Sequence, residues 1–361
     1  MKICFYISGH GFGHTTRSLQ VVKTLLEIDP HLRAHIKTGA PKWFVEHNFS
    51  SERVTYHSQQ NDVGIVQSDS LHFDPHDTLK ACERFWKDKR EIIQRETAWA
   101  VREKIDLILA DIPFTAFEIS AKAGIPGVGI TNFSWDWIYE PFLEDYPQYR
   151  YLVEDIKEAY RLSDLLYRLP LYGDLSAFPR IRDVPLIARK SEKDKQETRR
   201  ILGLPLNKKL ILCSFGGIGI KREISFNRRD FGLVSTLESL PQTADTWRIS
   251  TEKMRENSLH YQDLVAASDA VLTKLGYGIV SEAIANRTSL LYIDSSDFRE
   301  YPLLERGVSR LVPALPVSRE ELYQGGWEEK AGQLLQTDLS RDLPLIDGAE
   351  RIARDLVKRF L

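Results

Sequence analysis

The chain has 361 residues, about two domains at roughly 150 residues per domain, and its 42% hydrophobic and 28% charged residues are the mixture of a globular protein. Its 49 Lys and Arg against 51 Asp and Glu leave a formal charge of −2, which argues against a general nucleic-acid binder and against a disordered chain. Three widely separated cysteines, Cys4, Cys82 and Cys213, make neither a disulfide framework nor a zinc ribbon and fit a reducing compartment.

The first apolar run, Ile3 to Ile7, is too short for the core of a signal peptide. No stretch approaches the ~18 apolar residues of a membrane helix. The expectation is a cytoplasmic protein without a transmembrane segment, for which contact with a membrane surface stays open. Ile3–Ile7 reads as a buried strand followed by a glycine-rich turn. Thr16 to Ile28 reads as an amphipathic helix, with Leu19, Val22, Leu25 and Leu26 at helical spacing. Asp106–Ala110 is the next strand, and a helix follows from about Phe114, with Thr115 and Glu118 spaced as a capping box. Gly127–Thr131 is another strand. Residues 170–190 carry Pro170, Pro179 and Pro185 without strong periodicity and read as a linker. A charged helix then ends at Gly203, and Lys209–Phe215 restarts the pattern as a strand running into Gly216. Thr246–Ile249, Ala270–Thr273 and Leu290–Ile293 are further strands, and Gly348–Leu361 is a basic amphipathic helix.

Short apolar strands alternating with helices indicate parallel sheets buried on both faces. The predicted fold class is α/β, with two Rossmann-like doubly wound domains. The predicted boundaries are 1–170 for the first domain, 171–190 for the linker, 191–347 for the second domain and 348–361 for a C-terminal helix that packs back on the first. Ligands of such sheets sit beyond the carboxyl ends of the strands, so two facing domains would share a cleft.

Four segments carry chemistry. In Gly9-His10-Gly11-Phe12-Gly13-His14-Thr15-Thr16-Arg17 a glycine turn lies between strand and helix, where backbone N–H groups and the helix dipole favour an anion. His10 and His14 add groups that titrate near neutrality and can act as a general base. Asp111, just past a strand end, can orient such a histidine or merely cap the next helix. The glycines at 9, 11 and 13 fit neither a Walker loop nor a dinucleotide fingerprint, and spacing alone does not separate a ligand loop from a structural turn. In Lys274-Leu275-Gly276-Tyr277-Gly278-Ile279-Val280-Ser281-Glu282 the glycines free N–H groups for a diphosphate. Glu282, placed in the first turn of the helix, accepts ribose hydroxyls or simply complements the dipole. Gly216 and Gly217 lie in a third turn, with Lys221 and Arg222 nearby. Asn132 and Trp135, in the aromatic stretch Thr131 to Tyr139, face a sugar or belong to the core. His72 to Asp77 has metal-ligand residue types without an established spacing and reads as a solvated loop.

On these residues the chain resembles the GT-B glycosyltransferases. Lys274 to Ile293 is similar to the peptidoglycan N-acetylglucosaminyltransferase family, in which a glycine turn and helix hold the nucleotide diphosphate and a glutamate in the place of Glu282 binds ribose. Gly11 to Arg17, with Gly13 and His14 between them, matches a GxGHxxR pattern that also resembles the UDP-sugar hydrolase of pseudaminic acid synthesis, whose histidine in the place of His14 is a catalytic base. The stretches SGHGFGHTTR, DVGIVQSDSL, TNFSWDWIY, DVPLIARKS and KLGYGIVSEA resemble the glycosyltransferase-like N-terminal module of the L-arabinokinases and its bacterial relatives. No kinase phosphate loop is visible, so sugar phosphorylation is not expected. Ser296 to Tyr301 departs from the related transferases, because Glu300, beside Arg299, stands where a glutamine contacts the donor sugar.

The resemblance implies metal-independent transfer of a sugar from a nucleotide sugar, a UDP-sugar first, to an unidentified hydroxyl. His14 is the implied base, with His10 in reserve and Asp111 orienting. Gly216, Gly217, Gly276, Tyr277, Gly278, Ile279, Ser281 and Glu282 hold the nucleotide, and Arg299, Glu300, Asn132 and Trp135 face donor sugar or acceptor. No cofactor is expected. A hydrolase using the same histidine, and a non-catalytic nucleotide-sugar-binding module, are the alternatives.

Overall fold

A computed structural model describes the chain except residues 217–218, 238–239, 241–242, 295–297 and 338–341. In chain order its elements are β1 (Lys2–Ile7), α1 (Phe12–Ile28), β2 (Arg33–Thr38), α2 (Lys42–Asn48), β3 (Val54–Ser58), β4 (Gln67–Asp69), β5 (His72–Phe73), α3 (Pro75–Glu103), β6 (Leu107–Asp111), α4 (Thr115–Ala123), β7 (Gly127–Thr131), α5 (Trp135–Tyr139), α6 (Arg150–Arg161), β8 (Leu165–Arg168) and β9 (Ile181–Asp183). They continue with α7 (Lys195–Leu202), β10 (Lys209–Ser214), β11 (Phe231–Ser235), β12 (Thr246–Arg248), α8 (Thr251–Glu256), α9 (Tyr261–Ala267), β13 (Ala270–Thr273), α10 (Tyr277–Ala285), β14 (Ser289–Ile293), α11 (Tyr301–Leu311), β15 (Ala314–Val317), α12 (Arg319–Gln324), α13 (Trp327–Leu334) and α14 (Gly348–Phe360).

Two compact units result. The first comprises Met1–Gln67, Phe73–Ile187 and Leu345–Leu361, and the second Ser68–His72 and Ala188–Pro344. The first unit holds a seven-stranded parallel sheet in the order β3-β2-β1-β6-β7-β8-β9. Strands β1, β6 and β7 are buried nearly throughout, as their unbroken apolar runs require of central parallel strands. The second unit has a six-stranded parallel sheet, β12-β11-β10-β13-β14-β15. In each sheet the order reverses beside the first strand of the unit, at β1/β6 and at β10/β13. Those carboxyl ends are where doubly wound sheets take ligands.

Several local expectations change. Helix α1 starts at Phe12, so Gly13, His14 and Arg17 lie within it, and Gly11, at φ 75°, is its N-cap. Thr115 and Glu118 form no capping box. Phe114 holds the N-cap position, the Thr115 hydroxyl donates to the Asn61 carbonyl (3.3 Å), and Glu118 accepts from Lys89 (3.3 Å). His72–Asp77 is no loop. His72 and Phe73 form β5, and the Asp74 carboxylate accepts the Asp77 N–H (2.8 Å) to cap the 29-residue α3. The 171–190 stretch places β9 in the first sheet and only then crosses to the second unit after Ile187. An exposed edge strand of three residues has no apolar run by which to be read. Residues 68–72 also leave the first unit. Leu71 is buried in the core of the second beside Phe215, Leu233 and Trp327, and its carbonyl accepts from Arg319 (2.9 Å). Helix α14 packs on α1.

Candidate functional site

In the first unit, β1 and β6 are hydrogen-bonded neighbours in register Ile7 to Asp111, so the start of α1 and the Asp111 carboxylate meet at one sheet end. Asp111 has no exposed surface. It accepts from His14 Nδ1 (2.8 Å), Arg17 Nε (2.6 Å), Arg17 Nη2 (2.6 Å) and the Ser18 hydroxyl (3.1 Å). Burial alone would raise its pKa. The Arg17 guanidinium and then His14 outweigh that and hold the carboxyl below the ordinary carboxylate range. Asp111 is therefore ionised and acts on His14 rather than capping α4.

Arg17 Nη2 also stands 3.1 Å from His14 Nδ1. A guanidinium only donates, and a bare Nδ1 lone pair would face the carboxylate oxygen at 2.8 Å with no hydrogen between them. The arrangement without repulsion has both nitrogens donating to Asp111 Oδ1. Nδ1 of His14 then carries the hydrogen, and Nε2 is the nitrogen that can take a proton.

Asn132 and Trp135 are both wholly buried. Asn132 Oδ1 accepts from Arg17 Nη1 (2.8 Å). Trp135 Nε1 donates to Asp62 (2.8 Å), and its ring stacks on Tyr139 at 5.5 Å. Both therefore hold other side chains from within the core. Asp62, also buried, accepts from the Ser8 hydroxyl (3.0 Å) as well. Burial pushes the Asp62 carboxyl up to about 6 against those two hydrogen bonds. His10 sits at the end of β1, where its N–H donates to the Ser8 hydroxyl (3.2 Å).

In the second unit the corresponding ends are those of β10 and β13. Gly216 follows β10 at φ 67°, a backbone region that favours glycine, and its neighbour Gly217 lies outside the described residues. Ser70, inserted from the earlier chain, donates through N–H to the Gly219 carbonyl (3.0 Å) and through its hydroxyl to that of Phe215. Gly276 is the N-cap of α10 in extended conformation, which directs the N–H groups of Tyr277, Gly278 and Ile279 along the helix start. The Ser281 hydroxyl donates back to the Gly278 carbonyl (2.9 Å).

Glu282 lies in the second turn of α10, not in its first, because the helix begins only at Tyr277. It is buried and paired with Arg189, whose Nε donates to Oε1 at 2.7 Å. Burial raises the Glu282 pKa and the guanidinium opposes the rise. Asn286 donates to the Arg189 carbonyl (3.0 Å) and so fastens the arginine's backbone to the same helix. Glu300 is buried and Arg299 half-buried at the start of α11. Lys274 feels the charges of Glu300 and Asp69. Burial lowers its pKa, while those two carboxylates pull the other way. Among the described residues no group of three or more His, Cys, Asp or Glu side chains is placed to hold a metal ion, and no helix is long and apolar enough to cross a membrane.

No protein-family model matches the chain. It is 31% identical over 332 residues, 91% of its length, to the L-arabinokinase of Arabidopsis thaliana. The chain spans 31% of that curated relative. The solved glycosyltransferase of kitacinnamycin superposes with a TM-score of 0.63 at 15% identity, over 100% of this chain and 99% of its own. The fold is that of the GT-B glycosyltransferases. Two further GT-B structures superpose at 11% identity. The glycosyltransferase VinC, in complex with dTDP, has a TM-score of 0.58 over 100% of this chain and 96% of its own. The Phytolacca americana UGT2, complexed with UDP-2-fluoro-glucose and pterostilbene, has a TM-score of 0.57 over 99% and 94%.

Sequence reasoning missed Asp62 and Arg189 as individual residues. Their one signal was membership of the stretches DVGIVQSDSL and DVPLIARKS. Their partners Trp135 and Glu282 lie 73 and 93 positions away.

Proposed function

We propose that the protein is a glycosyltransferase that moves a sugar from a nucleotide-sugar donor, a UDP-sugar first, to a hydroxyl acceptor. The observation that carries the proposal is the His14–Asp111 pair at the switch point of a GT-B unit, with the Nδ1 hydrogen committed to a buried carboxylate. The Nε2 lone pair of His14 takes the proton of the acceptor hydroxyl. The oxygen attacks the anomeric carbon, the bond from that carbon to the phosphate oxygen breaks, and the nucleoside diphosphate leaves with the electron pair. A base so placed contributes on the order of 10²–10⁴-fold. Charge growing on the leaving diphosphate is met by the N–H groups that open α10 and by the turn at Gly216, groups already oriented before the reaction. Glu282, itself oriented by Arg189, accepts the ribose hydroxyls. Lys274, Arg299 and Glu300 lie toward the donor sugar.

The test is a thermal-shift screen of UDP, dTDP, ADP, GDP and their sugar conjugates, followed by assay of nucleotide release with and without hydroxyl acceptors, in buffer and in EDTA. Stabilisation by UDP or UDP-sugars and acceptor-dependent release that survives EDTA are expected. No stabilisation by any nucleotide would overturn the proposal. Stoichiometric hydrolysis without acceptor would instead make water the substrate that His14 activates.

A further inference from the structure

One residue grips the turn after β10 at both ends. A serine has two donors, its backbone N–H and its hydroxyl. The N–H of Ser70 donates to the Gly219 carbonyl at 3.0 Å, and its hydroxyl donates to the Phe215 carbonyl. Both donors are thus spent on the glycine turn, although Ser70 lies 145 positions before Phe215 in the chain.

We propose that Ser70 is a positioning residue of the donor site: it closes the turn after β10 and so holds it in the shape that takes the donor's diphosphate. The diphosphate role rests on the nucleotide-sugar reading above; the closing of the turn does not.

A turn of this composition needs a constraint from outside. Gly216 stands at φ 67° and Gly219 at φ 69°. Glycine adopts this left-handed region readily, but it adopts others as readily, so the turn does not choose its own shape. A Cβ at Gly216 would meet nothing closer than the Ser70 hydroxyl oxygen at 4.0 Å, so the glycine serves the backbone angle and not a lack of room. A loop that must be ordered when its ligand arrives binds more weakly than one already ordered. Donors aimed at a developing charge are effective only when they are held in place beforehand.

The tip that carries Ser70 is itself fixed on both sides. Asp69 Oδ1 accepts from the Leu71 N–H (2.8 Å) and from His72 Nδ1 (2.8 Å). Leu71 is buried in the core that also holds Phe215 and Ile220, and its carbonyl accepts from Arg319 (2.9 Å) at the start of α12. Ser70 is 6% exposed between these anchors. The turn therefore takes its shape from the tip, and the tip does not yield to the turn.

The test compares a nucleoside diphosphate with its nucleoside on the full chain, UDP and uridine first. Uridine lacks the diphosphate and makes no use of the turn. Ser70→Ala removes one of the two grips and should raise the UDP dissociation constant about three- to tenfold by calorimetric titration. The uridine constant, read by ligand-observed NMR, should stay within about twofold, and Ser70→Thr, which keeps a hydroxyl, should bring UDP back to within about twofold of wild type. An equal loss for uridine and UDP would mean that Ser70 merely supports the unit. An unchanged UDP constant in Ser70→Ala would mean that the turn keeps its shape alone, and a Ser70→Thr as weak as Ser70→Ala would take the hydroxyl out of the argument. Each of these overturns the positioning role.

Hydrogen exchange without ligand separates the closed turn from the reading it serves. Peptides that cover 210–220 should exchange faster in Ser70→Ala than in wild type, and equal exchange would show that Ser70 does not constrain the turn. If wild type binds no nucleotide of the screen above, the nucleotide-sugar reading fails and the positioning role falls with it, while the exchange result still decides whether Ser70 closes the turn.

Discussion

Replacing Asp111 with Asn tests the centre of the first unit. The carboxylate has no exposed surface and accepts four hydrogen bonds, two from Arg17 and one each from His14 and Ser18. Asparagine keeps one accepting oxygen and turns the other into an NH₂ that points at donors. Arg17, itself 4% exposed, then loses its counter-charge and cannot move to water, because Asn132 and Thr131 also hold its guanidinium. Breaking one side of a buried pair costs about 3–5 kcal/mol. For a unit of about 200 residues, 1 kcal/mol moves Tm by about 2–4 °C, so Tm should fall by about 10 °C. Ser18→Ala, which removes only the 3.1 Å bond, should cost about 1 kcal/mol. The pH dependence has a definite sign. The folded pKa of Asp111 lies below its unfolded value, so the pair stabilises fully above the ordinary carboxylate range and loses that contribution as pH falls through the folded value. The gap in Tm between wild type and Asp111→Asn should stay constant from about pH 5 to 8 and close below about pH 4. Calorimetry at stepped pH reads both quantities. A fall under about 2 °C at pH 7, or a gap that widens in acid, would refute the ion-pair account. Turnover should fall further than stability explains, by about 10⁴-fold where the same swap spoils the histidine tautomer of a Ser–His–Asp triad.

Other outcomes follow from the same structure. Glu282→Gln keeps an acceptor for Arg189 but weakens the ribose contact, so stabilisation by UDP should drop about tenfold in apparent Kd, as read by calorimetric titration; an unchanged Kd would remove the ribose role. Leu71→Ala opens a cavity in the core of the second unit and should cost about 2–5 kcal/mol by urea unfolding; an effect below about 1 kcal/mol would mean that the 68–72 tip is not a structural part of that core. His35, lowered to about 4 by burial and by neighbouring His57, resists protonation in the folded state, so stability is lost as pH falls from about 6.5 toward 4. His35→Leu should flatten that part of the stability–pH curve, and an equally steep curve in the variant would place the titration elsewhere.

Most of the strands that the sequence displayed have a uniform environment, although the half-exposed β12 was also read and the wholly buried β11 was not. Strands β1, β6, β7, β10, β13 and β14 are buried on both faces, so each had to be a short apolar run, and the glycine turns beyond β1, β10 and β13 stood out beside them. Strand β2 was not visible, because RAHIKT carries a lysine that the fold buries. Lys37 is neutralised there by Glu96, 59 positions away, and lies over the Trp99 ring at 3.4 Å. Distance in sequence likewise hid Asp62 and Arg189, whose burial Trp135 and Glu282 help to make tolerable.

By itself the sequence determined two parallel-sheet units with a glycine-opened helix in each, and it put His10, His14 and Glu282 beside those turns. Both rest on the residues within one strand and one helical turn of each other. The tertiary structure alone decided that Asp111, 97 positions from His14, selects that ring's tautomer, and that residues 68–72 belong to the second core. A hydrogen's place on an imidazole is set by the atom facing it, and no local pattern names an atom brought from a distant strand.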